Sequence, residues 1–149
     1  MALNVAAGTE TLHAASFADS DAVQDLIVGV VHHIYTVLST IVFTVSIGTA
    51  GDTFDLGIIG HDHHAGAGSN ATTMIIAQVV AVAGQTFVFN DKFSMNGFGA
   101  AAYTEPLSTA AEGVTIAAQG GTLQRYVCEP LDGDVTLDMH VTYIDQNNA

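Results

Sequence analysis

The sequence predicts an all-β protein, an antiparallel jelly-roll-like β-sandwich in a single domain with an extended N-terminal arm; the arm takes residues 1–20 and the sandwich residues 21–149. Three observations carry this. Apolar residues recur at every second position in several segments, most cleanly at Val135, Leu137, Met139, Val141 and Tyr143, which is the period of a strand with one buried face. The apolar runs are rich in Val, Ile and Thr, whose branched Cβ suits a pleated surface better than a helix. Gly and Asp turns separate the runs with no helical period between them, so the crossovers that a parallel sheet needs are missing. Seven or eight strands result, and eight strands in two facing sheets make a jelly roll.

Taken in order, residues 1–20 are small and polar and suit an arm with little core of its own. SDAVQDL offers Ser20 or Asp21 as the N-cap of a short helix, soon overtaken by a β-branched run. The following stretch, LIVGVVHHIYTVLSTIVFTVSIG from Leu26 to Gly48, has no charged residue and is long enough to cross a bilayer, which takes about 20 apolar residues. Its content argues against that. His32 and His33 fall in the middle, where polar groups are costly in lipid, and neither end has a Lys or Arg anchor. The stretch reads instead as a strand, an extended corner near His32 to Tyr35, and a longer strand. In the longer strand Ile41, Phe43, Val45 and Ile47 share one side and Thr40, Val42, Thr44 and Ser46 the other, as in a half-buried strand.

GTAGD then leads into TFDLGII, where Phe54, Leu56 and Ile58 alternate with Thr53, Asp55 and Gly57, a hairpin signal. HDHHAGAGSN, from His61 to Asn70, is a glycine-punctuated loop. TTMIIAQVVAVAG and QTFVFNDKF supply further strands, and SMNGFGAAAYTEP, with Pro106, reads as a long irregular connection. EGVTIAAQ, TLQRYVCEP and DVTLDMHVTYI close the chain as three strands joined by GG and DGD turns.

The chain of 149 residues fits one domain, and its 49% hydrophobic content supports a core. Asp and Glu number 15 against two cations, Lys92 and Arg125, for a net charge of −13. Phosphate binding depends on clustered Lys and Arg, so no nucleic acid is expected as a partner, and an anionic membrane surface would repel the chain. The acidity itself favours solubility and suppresses self-association. Cys128 is the single cysteine, so no intrachain disulfide forms; it reads as a small buried residue. The N-terminus lacks the basic and apolar regions of a secretory signal, which points to folding in a cytoplasm.

GHDHH gathers His61, Asp62, His63 and His64, a set able to bind a transition metal with His140 or a neighbouring subunit supplying a third ligand. Read more simply, it is a solvated hairpin loop. The H-x-H resembles the first half of a cupin metal motif, but the Glu that should follow is absent and the glycine spacing differs, so no cupin site is carried over. His32 and His33 fall on opposite faces of an extended segment and cannot share a metal. Asp132 and Asp134 around Gly133 could chelate Ca²⁺, yet DGD is also what a tight turn requires. No serine lies in a nucleophile elbow and no glycine-rich loop precedes a helix. No catalytic, cofactor or metal residue is therefore assigned, and the chain reads as a non-enzyme.

TIVFTVSIGTAGDTFDLGI and GVTIAAQGGTLQRYVCEPLDGDVTLDMHVTYID, within residues 35–145, resemble the jelly-roll decoration, or cement, proteins of tailed-bacteriophage capsids. The resemblance implies a homotrimer on the outer face of the virion, assembled in the host cytoplasm and bridging neighbouring major capsid proteins. The acidity, the missing disulfides and the surplus of Ala, Gly, Val and Ile agree with that role. The alternatives are a tail, fibre or host-surface-binding module on the same sandwich, and a metal-dependent β-barrel enzyme. Tyr35, Tyr103, Tyr126 and Tyr143 are too scattered for a sugar-stacking platform.

Overall fold

A computed structural model of the chain describes residues 9–30, 33–62, 70–97 and 124–147. They form nine strands: β1 (Thr9–Ser20), β2 (Gln24–Val28), β3 (His33–Ser46), β4 (Thr53–Asp62), β5 (Asn70–Val80), β6 (Thr86–Phe89), β7 (Phe93–Asn96), β8 (Arg125–Pro130) and β9 (Thr136–Asn147). One sheet runs β1-β9-β3-β6, with β7 on the same side of β3 as β6; the other runs β2-β8-β4-β5. Every pairing is antiparallel. With β6 and β7 counted as one interrupted strand, this order is the jelly roll, each sheet taking alternate strands of two Greek keys.

The core lies between the sheets. From the first sheet come Tyr35, Val37, Val42, Val135, Leu137, Met139 and Val141, and from the second Leu26, Phe54, Leu56, Ile58, Tyr126 and Cys128, all buried. The inward residues expected of the last strand are therefore found: Val135, Leu137, Met139 and Val141 are buried and Tyr143 packs against the core. Phe54 is clamped edge-on by Phe87 and Phe89 of β6, with centroids 5.6 and 6.5 Å away.

Several expectations are corrected. Of the arm at residues 1–20, residues 9–20 are strand β1, paired with β9 from Thr9↔Asn147 to Ser20↔Leu137. An edge strand needs only its ladder and one packed face, so small, polar residues suffice; Ala15 and Phe17 supply the packing. Residues 1–8 lie outside the described residues. SDAVQDL forms no helix: residues 24–28 are β2, as the β-branched run dictates. The stretch from Leu26 to Gly48 does divide into two strands, in different sheets, and among the described residues no helix is long and apolar enough to cross a membrane. The corner is narrower than expected, since β3 begins at His33. Gly29 turns it where no Cβ would fit between the carbonyls of Gly97 and Gln124.

The alternation read in β3 is present, but it is the threonine side that faces the core. Thr40, Val42 and Thr44 are buried, whereas Phe43 and Val45 are exposed. A β-bulge is the cause: the register with β9 shifts between Val37 and Ser39, which moves the inward set from Tyr35 and Val37 to Thr40, Val42 and Thr44, and a second shift between Thr44 and Ser46 precedes Ile47, which packs against the core. The GTAGD turn is likewise no hairpin, because β3 and β4 belong to different sheets. Asp52 Oδ2 organises it by accepting from Gly48 N and Thr49 N at 3.0 and 2.7 Å. The EGVTIAAQ strand, the GG turn and most of the SMNGFGAAAYTEP connection lie outside the described residues.

Candidate interaction surface

The four sheet edges differ in how they are protected. β1 is long but carries Glu10, His13 and Asp19, and a register shift between Phe17 and Ser20 breaks its ladder. Asp19 there has a positive φ of 53°, and its N–H donates to Asp138 Oδ1 at 2.8 Å. β2 has five residues, with Asp25 tied to Arg125 by contacts of 3.2 and 3.3 Å. β6 and β7 have four residues each. Charge, bulges and brevity are the usual guards of a sheet edge.

β5 differs from these. Its 11 residues, NATTMIIAQVV, include no charged residue and no proline, and among the described residues it pairs on one side alone, with β4. Met74, Ile75, Ile76 and Val80 are 58%, 54%, 44% and 54% exposed. The β4–β5 register shifts between Leu56/Ala77 and Gly57/Ile75, leaving Ile76 as the extra residue. Gly57 permits this approach, since a Cβ there would lie 2.9 Å from the carbonyl oxygen of Met74.

Between β5 and the β6–β7 edge the sheets part to leave a cleft of about 290 Å³, with Leu56, Ile58, Met74, Ile76, Phe89 and Phe93 among its walls. Among the described residues, Asp91 and Lys92 are its only charged lining residues. Arg125 is paired with Asp25, so Lys92 is the one basic side chain outside an ion pair among the described residues. Val82 and, on the outer face of β6, Val88 extend the exposed apolar surface.

A second cluster sits where β1, β3 and β9 meet. Asp145 Oδ1 lies 2.6 Å from His33 Nδ1, and Asp145 Oδ2 lies 4.0 Å from His13 Nε2. His13 stacks on Tyr143, and Tyr143 meets Tyr35 edge-on. Val30 N donates to the Tyr35 hydroxyl at 3.0 Å. Burial, and then the charge of Asp145, push the Tyr35 hydroxyl up to about 12. The cluster joins three strands, and its acid is spanned by two imidazoles.

Among the described residues, those considered as metal ligands are not gathered at one site. The backbones of His61 and Asp62 pair with Ala71 and Asn70 at the end of β4, and His63 and His64 lie outside the described residues. His140 is on the other sheet, between the inward Met139 and Val141, with Nδ1 2.7 Å from Ser16 Oγ. Strand parity therefore turns it to the outer face, away from β4 of the same chain. His33 is engaged by Asp145, and His32 lies outside the described residues. Asp132 serves a turn: its carbonyl accepts from Val135 N at 3.1 Å and its Oδ2 from Thr53 N at 3.1 Å. Among the described residues no group of three His, Cys, Asp or Glu could hold a metal. Cys128 is fully buried, and burial, with Asp55 nearby, pushes its thiol up to about 12.

The interaction surface was not singled out from sequence, although one signal was present: an 11-residue uncharged strand within a chain of net charge −13. Asp145 and His13 gave no local signal, because their meeting depends on the β1–β9–β3 register.

No known protein family matches the chain, and no curated protein matches it. Among solved structures it is similar to a protein from work on Bacillus endospore appendages, described as a novel family of disulfide-linked pili. Identity is 7% over 93% of this chain and 87% of that one, with a TM-score of 0.40. A likeness at that level carries no argument about what this chain does.

Proposed function

We propose that the protein is a structural subunit of a virion, which decorates the outer face of a tailed-phage capsid and bridges neighbouring major capsid proteins. The resemblance of its strand and turn segments supports this reading and implies a homotrimer. The observation that carries it is the contrast between a chain of net charge −13 and an uncharged apolar edge strand, β5, where Met74, Ile75, Ile76 and Val80 stand in solvent. Single exposed apolar residues are ordinary, but a contiguous group along one edge marks a contact surface. The acidic remainder keeps the subunit off DNA and limits contact elsewhere. Cementing then means burying this edge across subunit boundaries at about 25 cal/mol per Å² of apolar surface, so that a shell must break those contacts to open. In this reading the protein performs no catalysis.

Gold-labelled antibody against the chain, applied to intact particles from a lysate of the source, tests the proposal. Label distributed over the shell is expected. Label confined to a tail or fibre would move the protein to the alternative module, and label absent from every particle would contradict a virion role.

A further inference from the structure

We propose that β5 is the docking strand for a second copy of this chain, the two β5 strands pairing antiparallel about a two-fold axis so that the β2-β8-β4-β5 sheet continues from one subunit into the next. The inference rests on the reading of the protein as an assembling structural subunit and names the partner at its exposed edge. Where subunits also close about a three-fold axis, this contact joins one trimer to the next.

Alternate N–H and C=O groups of β5 point away from β4 and, among the described residues, form an open hydrogen-bonding row. Such a row pairs with an added strand unless it is guarded, and β5 lacks the charge, proline and brevity that guard the other edges. Its β-bulge at Ile76 divides the row without closing it.

Charge selects the partner. Two bodies of −13 repel over most of their surfaces, and the repulsion is weakest where the facing patch is neutral. β5 is uncharged, and the cleft beside it has one acid and one base, Asp91 and Lys92. A neutral patch with one charge of each sign complements itself under a two-fold rotation, which sets Lys92 of one copy toward Asp91 of the other. A basic partner would instead be drawn to the acidic surface elsewhere. Pairing would also bring Met74 and Ile76 of each copy toward apolar surface, completing the open side of the sandwich.

Ile75 provides the test, being 54% exposed and opposite Gly57 on the outer face. Sedimentation and hydrogen exchange are measured on the full chain and on Ile75→Lys, Ile75→Glu and a control, Val28→Lys, on β2. The wild type and the control should self-associate with slow exchange in β5. Each Ile75 variant should stay folded and lose the β5 contact, falling to a monomer or, where subunits close about a three-fold axis, to a lone trimer, with exchange in β5 at least tenfold faster, because like charges face each other across the axis. Mixing the Lys and Glu variants should restore association. A monomeric wild type, association with β5 unprotected, or Ile75→Lys associating like the wild type would overturn the inference. Any of these would leave the gold-labelling result standing, and label on a fibre would leave the β5 contact standing.

Discussion

Thr40 Oγ1 and the Tyr126 hydroxyl lie 2.8 Å apart in the buried space between the sheets, one on β3 and the other on β8. The bulge before Thr40 turned a threonine inward, and the tyrosine satisfies it. Burial pushes the Tyr126 hydroxyl up to about 12, although its bond with Thr40 acts the other way. Tyr126→Phe leaves Thr40 with a buried hydroxyl and no partner, so a loss of about 1–3 kcal/mol is expected in urea unfolding. Thr40→Val combined with Tyr126→Phe should lose less than the two single changes together, and a double-mutant cycle measures the difference.

The inward face of β3 gives a sharper test. Val42 is fully buried and Phe43 is 37% exposed. Val42→Ala should therefore cost on the order of 1–3 kcal/mol, while Phe43→Ala should cost clearly less despite removing a larger side chain. Thermal unfolding of both variants decides; the reverse order would mean that β3 has no bulge.

Val141 is 0% exposed in the middle of β9. Val141→Asp places a carboxylate between the sheets with nothing to pair it, and loss of the folded state is expected. Circular dichroism of the purified variant checks this, since a native-like spectrum would put Val141 outside the core.

High pH should unfold the protein through its buried acids. Tyr35 and Tyr126 are raised from 10.0 to about 12, and Cys128 from 9.0 to about 12. The folded state holds these protons more tightly than the unfolded state, so their contribution is complete below pH 9 and is lost as pH rises toward about 12. Unfolding followed together with tyrosinate absorbance should show Tyr126 ionising only as the fold is lost. Near pH 8 the Cys128 thiol should stay unreactive to a thiol reagent until denaturant is added.

Much of the fold was legible because it follows from period and punctuation. The closing strand announced itself through five alternating residues, and Phe54, Leu56 and Ile58 are buried as their alternation implies. What escaped depends on partners. A bulge at Leu38 turned Thr40, Val42 and Thr44 of β3 inward, and nothing local to that residue marks it. GTAGD has the residues of a hairpin turn, yet whether a turn closes a hairpin or crosses between sheets is settled by the strands on either side. β1 looked like an arm because an edge strand needs little apolar content. The histidines drew attention as ligands by their type, whereas strand parity, which the sequence does not print, sends His140 to the outer face and His33 to Asp145.

The native mass of the purified chain, measured by light scattering with metal content determined on the same sample, tests the structural-subunit reading most directly. The expected result is a metal-free assembly whose mass is a multiple of 15.4 kDa. A monomer at every concentration, holding one tightly bound transition metal, would contradict it and return His61 and His63 to the centre of the molecule's chemistry.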